Sequence, residues 1–270
     1  MSRKSILNIT SRKKQDNMRS MLTTPFGLET TPGSITMTGD DGYMFVWMAT
    51  SRDGAGGEAG VHNDTQRTST SCYIRGLKER WTMVTGSPAP WQHRRIVFTF
   101  TGDAIYRVDD EEILDDDPQT AEYFKELSDG YVRAFTQLAP QTGDYRQPQL
   151  QLQLQRILFK GEEGKDWIGV MNAKLDNLRV NVLYDKTTNI RSGNDRGVIT
   201  KRNFWHPINK TLVYDDDENG NVILNSHYSV QDRRSVGDVY VCDFFSAGLG
   251  STSSDELQVN AEATLYWHER

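Results

Sequence analysis

Cysteine is almost absent: Cys72 and Cys242 are the only two in 270 residues. That excludes a scaffold stapled by several disulfides, and the pair reads as buried thiols in preference to a single disulfide between them. Long apolar runs are missing too. The longest, YMFVWMA at 43–49, is far short of the ~20 residues a membrane-spanning helix needs. The first residues lack the apolar stretch of a secretory signal, so the expected setting is a reducing compartment, and no membrane contact is expected. The N-x-S/T triplets at Asn8, Asn63 and Asn209 then carry no glycan.

Catalytic signatures are equally scarce. GAGGEAG at 54–60 runs into VHNDTQ instead of a helix, so it is a surface loop and not a dinucleotide cradle. The GK at 164–165 has Phe159 where a phosphate loop needs glycine. The five histidines show no i,i+4 pairing and the two cysteines lie 170 positions apart, so no zinc site is expected. In DDDENGNVILNS at 215–226, Asp215, Asp217, Asn219 and Gly220 match a calcium loop, but Ser226 replaces the bidentate Glu. An acidic hairpin built on Asn219-Gly220 is the expectation there. The acid run DDEEILDDD at 109–117 reads as solvated charge. Neither an enzyme nor a cofactor is expected.

What the sequence has is alternation. LQVNAEATLYW at 257–267 places Leu257, Val259, Ala261, Ala263, Leu265 and Trp267 on one parity, a long strand with one face on a core. QLQLQLQ at 149–155 and LRVNVLY at 178–184 read as further half-buried strands. YMFVWMA, RIVFTF at 95–100 and VYVCDFF at 239–245 are apolar on both parities, as strands covered on both faces are. CYIRGLKERWTMV at 72–84 and FWHPINKTLVY at 204–214 are longer strands, and Pro207 forces an edge or a bulge in the second. One helix is expected after Asp117-Pro118, with Ala121, Phe124 and Leu127 on one side and Gly130 as its stop. Eight or nine strands, one short helix and large loops predict an all-β fold, a single antiparallel jelly-roll sandwich.

Charge is distributed unevenly. The formal charge is −6, yet Arg3, Lys4, Arg12, Lys13, Lys14 and Arg19 face a single acid, Asp16, in the first twenty residues. That is +5 for residues 1–20 and −11 for residues 21–270. A flexible basic N-terminal arm (1–20) on a sandwich domain (21–270) is the organisation this predicts. Such an arm acts on polyanions through phosphate neutralisation. Arg75, Lys78 and Arg80 in IRGLKER, and Arg94 and Arg95 beside Trp91 and His93, offer either paired, snorkelling cations or a cationic wall with platforms for unpaired bases.

Taken in order, SRKKQDNM, CYIRGLKERW, PWQHRRIVFTF, YVCDFF and EATLYWHER resemble the capsid proteins of genomoviruses, circular single-stranded DNA viruses distantly related to geminiviruses. The resemblance implies a jelly-roll subunit that self-assembles into a small icosahedral T=1 capsid shell around its single-stranded DNA genome. It implies a homo-oligomer found in the virion and the host nucleus, brought there by host nuclear import machinery, without catalytic activity. By position, Arg3, Lys4, Arg12, Lys13, Lys14 and Arg19 would touch DNA, with Arg94 and Arg95 as inner-wall candidates. Relatives carry a longer Arg-rich arm ahead of SRKK, where only ten residues stand here. Strand-borne Arg and Lys, counterions or a sister capsid protein must therefore neutralise the remaining phosphates. The alternative is a non-viral β-sandwich binding module with a nuclear-targeting tail, whose ligand groove would use Trp47, Trp91, Trp205 and Trp267.

Overall fold

The structure, a computed structural model, describes residues 9–27, 31–54, 65–108, 119–138 and 146–269. The expected helix start at Asp117-Pro118, the acid run 109–117 and Arg3 and Lys4 lie outside the described residues.

The strands come in chain order as β1 (Arg12–Thr23), β2 (Ile35–Thr38), β3 (Gly42–Met48), β4 (Ser71–Thr85) and β5 (Trp91–Phe100). Four two-residue pieces follow, β6 (Arg107–Val108), β7 (Gln119–Thr120), β8 (Glu126–Leu127) and β9 (Gly130–Tyr131), and then β10 (Arg133–Gln137). After the helix α1 (Arg146–Leu158) come β11 (Asn181–Ile190), β12 (Ile199–Val213), β13 (Asp217–Asn219), β14 (Val222–Leu224), β15 (Asp238–Ala247) and β16 (Glu256–Glu269).

Ten strands pair in the order β11-β5-β15-β3-β10-β1-β16-β4-β12, with β2 also on β16. The hinge of this sandwich is β1. Its first part, Arg12–Arg19, runs antiparallel to β16, whereas Ser20–Thr23 runs parallel to β10. It therefore belongs to both layers, β1-β16-β4-β12 on one side and β11-β5-β15-β3-β10 on the other. The all-β jelly-roll expectation holds.

A third layer explains the doubly apolar strands. In β3, Tyr43, Phe45 and Trp47 point to the inter-sheet core, while Met44, Val46 and Met48 point outward. The outward set packs under Leu150, Leu154 and Leu158 of α1, together with Phe159 and Ala173. That face is covered by a helix and its connections. On β16 the predicted parity is realised, with all six of Leu257, Val259, Ala261, Ala263, Leu265 and Trp267 buried. Both cysteines are buried and free.

Two local expectations are overturned. QLQLQLQ is helix, not strand. Leu150, Leu154 and Leu158 recur every four residues and are buried, whereas Leu152, which completes the strand reading, is 42% exposed. Gln and Leu are good helix formers, and no β-branched residue precedes Ile157 in α1. Pro148 sits in the first turn, where its missing N–H removes no bond. Conversely, the stretch expected as helix over 119–130 is extended. The Ala121 and Glu122 N–H groups donate to the Tyr106 and Pro25 carbonyls, and Tyr123 O accepts from Met48 N. Its neighbours take the hydrogen bonds that a helix would use.

The buried Asp238 has no cationic partner among the described residues. Asp238 is 2% exposed and accepts from the Ser229 N–H and hydroxyl. Burial outweighs those two bonds and pushes its carboxyl up to about 7. The folded chain therefore holds a proton that the unfolded chain has released, over the window from about pH 4 to 7. The contribution of Asp238 to stability is highest at the acid end of that window and is lost as pH rises through it. In Asp238→Asn this decline is expected to vanish, so that melting midpoints of mutant and parent converge near pH 4 and separate, mutant higher, by pH 8.

Candidate nucleic-acid interface

With the outer face of the β3-containing sheet covered, the outer face of β1-β16-β4-β12 is the open one. Strict alternation decides what it displays. Lys13, Gln15, Asn17 and Arg19 of β1 are exposed, and Lys14, Asp16 and Met18 are not. The register then aligns rows across four strands. Arg19 lies beside Glu262, Arg80 and Asn203; Asn17 lies beside Thr264, Lys78 and Trp205. Lys13 lies beside His268 and Tyr73. Lys201, on the parity of Asn203 and Trp205, extends the face across from Thr82.

The result is a basic surface with aromatic platforms. A shallow groove of about 770 Å³ crosses it, lined by Lys13, Arg75, Lys78, Trp205, Tyr266 and His268. A second hollow continues along Arg19, Lys78 and Arg80 to Glu262. Among the described residues no carboxylate pairs with Lys13, Arg75, Lys78, Arg80 or Lys201; Arg75 donates to the Asn209 amide oxygen instead. Arg19 alone of this set has an acid partner, Asp129 at 2.6 Å, and that pair is in solvent. Partial burial, with a smaller contribution from Arg75 and Lys13 close by, holds the His268 imidazole below its ordinary value.

Trp205 is the anchor of the groove. It is 49% exposed, and its ring meets Tyr266 edge-on with centroids 6.0 Å apart. The ring lies over Gly76, where a Cβ would come within 2.8 Å of the indole and 2.6 Å of the His206 carbonyl oxygen. Glycine at this point of IRGLKER lets the bulge at Pro207–Lys210 lay the indole against the sheet. The other three tryptophans of the alternative groove, Trp47, Trp91 and Trp267, are 1–2% exposed and belong to the core.

The expected site residues divide sharply. Lys13 and Arg19 reach the open face, and Arg12 lies at its edge, exposed at the start of β1. Lys14 does not: its ammonium is buried 3.0 Å from Glu269 and donates to the Gln66 carbonyl and the Thr68 hydroxyl. The arm expected over 1–20 is thus strand from Arg12 onward, because Lys14, Met18 and Ser20 face inward and tie it to β16. Arg94 and Arg95 are not an inner wall. Arg94 points to the α1 side and forks onto Asp185 at 2.9 and 2.8 Å. Arg95 points between the sheets, 1% exposed.

There Arg95 joins a four-charge cluster that divides the inter-sheet core into two apolar halves. Arg95 binds Glu79 at 2.5 Å and Asp243 at 2.8 Å; Arg133 binds the same two acids at 3.0 and 2.6 Å. Trp81 lies against both guanidiniums and its Nε1 donates to Glu79. Burial pushes the Glu79 and Asp243 carboxyls up, but the two arginines outweigh it and leave both below their ordinary values. His93, neutralised by burial, donates from Nε2 to Asp243 at 2.8 Å. The cluster has no opening to solvent and joins β4 to β5, β10 and β15.

The acidic stretch after β12 forms a hairpin as expected, but its turn is Gly220–Asn221 and not Asn219-Gly220: Asn219 pairs with Val222, and Gly220 takes φ +66°. Asp216 gives both oxygens to Arg67. Among the described residues no group of three His, Cys, Asp or Glu side chains is gathered as metal ligands, and no helix is long and apolar enough to cross a membrane.

No family model matches the sequence, and no curated protein is similar to it. Among solved structures, the unassembled VP1 pentamer of KI polyomavirus aligns over 100% of this chain and 96% of its own at 9% identity, with a TM-score of 0.14. VP1 of trichodysplasia spinulosa-associated polyomavirus aligns over 97% of each chain at 7% identity, with a TM-score of 0.12. Likenesses this faint carry no argument.

Proposed function

We propose that this chain is a capsid subunit that closes a small shell around circular single-stranded DNA, and that the open β1-β16-β4-β12 face is the wall that meets the DNA. The observation that carries the DNA reading is the make-up of that face: Lys13, Arg19, Arg75, Lys78, Arg80 and Lys201 against two acids, Glu262 and, at the start of β16, Glu256, interleaved with Tyr73, Trp205 and Tyr266. Cations spaced along a groove neutralise phosphates, and exposed rings accept unpaired bases without regard to sequence. The capsid reading is supported by the jelly roll and by the ordered motifs that resemble genomovirus coat proteins. It makes the protein a non-enzymatic component of the virion, with assembly in the host nucleus.

Purified protein is expected to form small round particles in negative stain and to prefer single-stranded over duplex oligonucleotides, because a duplex offers no unstacked bases. Trp205→Ala is expected to weaken single-strand binding about tenfold, within the range for one base–aromatic stack. The salt dependence of binding should stay as in the parent, since no cation is removed. Equal affinity for both DNA forms, or salt-insensitive binding of a neutral sugar instead, would favour the β-sandwich module reading.

A further inference from the structure

The hairpin β13–β14 carries three consecutive apolar side chains in the open. Val222, Ile223 and Leu224 are 52, 61 and 53% exposed. The facing strand is acidic, with Asp217 and Glu218 exposed and Asp215 just before it. Its base is fixed in direction. Arg67 donates to both oxygens of Asp216 at 2.6 and 2.8 Å while lying 3.9 Å above the Tyr214 ring, and Ser226 N donates to Asp216 at 3.0 Å. The hairpin is a held knob, anionic on one strand and apolar on the other.

Elsewhere on the same chain a groove of about 700 Å³ along α1 has the opposite character. Phe100, Leu152 and Ile157 contribute apolar surface, and Arg107, Arg156 and Arg179 contribute charge. Leu152, the leucine that α1 does not bury, opens into it. We propose that the β13–β14 hairpin of one copy seats in the α1 groove of the next. The carboxylates of the acidic strand meet Arg156, together with Arg107 and Arg179, which also pair with Asp103 and Asp176 of their own chain, and the apolar strand loses water against Phe100, Leu152 and Ile157. Knob and groove are different patches, so the contact is head-to-tail and repeats into a ring when the rotation closes, as a shell requires about its symmetry axes. This inference rests on the capsid reading for its second copy.

The test uses the full chain, with association followed by sedimentation and negative stain and folding checked by circular dichroism. Ile223→Ser with Leu224→Ser is expected to raise the concentration needed for association at least about tenfold, as loss of a central apolar anchor does. Arg156→Glu with Arg179→Glu is expected to do the same. Adding Asp217→Arg and Glu218→Arg to that groove variant should bring association back to within about threefold of the parent, because the charges then match again. If the parent assembles and the hairpin or groove variants assemble equally well, or the charge swap gives no rescue, the contact is wrong and the capsid reading stands. A parent that stays monomeric at every concentration overturns both.

Discussion

Arg95→Met is expected to lower the free energy of unfolding by about 3–5 kcal/mol, read from urea or thermal denaturation. Removing one cation leaves Glu79 and Asp243, both fully buried, with Arg133 as their only arginine. The loss arises from stranded charge and not from lost volume, since Met fills most of the space of the guanidinium stem. Replacing all four members by apolar residues of similar size (Glu79→Leu, Arg95→Met, Arg133→Met and Asp243→Leu) is therefore expected to recover most of it. A second readout is acid sensitivity. In the parent, both carboxyls sit below their ordinary values, so their contribution is intact at neutral pH and is lost only as pH falls through the folded values, under about pH 4. With Arg95 gone the remaining acids hold protons more readily, and acid unfolding should begin at higher pH. A quadruple variant no more stable than Arg95→Met would contradict this account.

That cluster is also where reading the sequence reaches its limit. WQHRRIVFTF gives no sign that its two arginines point opposite ways into two covered layers, one to Asp185 and one to Glu79 and Asp243. Their acid partners stand up to 148 positions away, on strands whose pairing a single sequence does not reveal. Strand existence was legible because period-two patterns and doubly apolar runs report burial directly. Trp267 and its parity mates, and Met44 beside Phe45, show both cases. QLQLQLQ was ambiguous in kind, since leucines at 150, 152 and 154 suit a strand while 150, 154 and 158 suit a helix. The extended run 119–131 was settled by donors and acceptors from Pro25, Met48 and Tyr106, which no local propensity encodes. The basic face was half legible. IRGLKER named three of its cations, but that Arg75, Lys78 and Arg80 stand on the open face with no ion pair among the described residues, while Lys14 lies buried, follows from the register of β1, β16 and β4.

Arg75→Gln, Lys78→Gln and Arg80→Gln together carry the largest expected loss in DNA binding. Each side chain projects to solvent from β4, so the triple variant should keep the parent's circular dichroism, and its free energy of unfolding to within about 1 kcal/mol. If each cation neutralises one phosphate, the slope of log affinity against log salt should fall by about 2, taking about 0.7 per contact for single strands. The same three contacts are worth roughly fiftyfold in affinity near 0.15 M salt, the distance that slope accumulates below 1 M. Arg95→Met, measured at a temperature where it is folded, should leave the slope where it was, since Arg95 sits 1% exposed between the sheets. The contrast separates the two sets of cations by a quantity that folding stability does not move. A triple variant with the parent's slope would remove the open sheet face as the DNA wall, leaving the cations ahead of β1 to carry the binding.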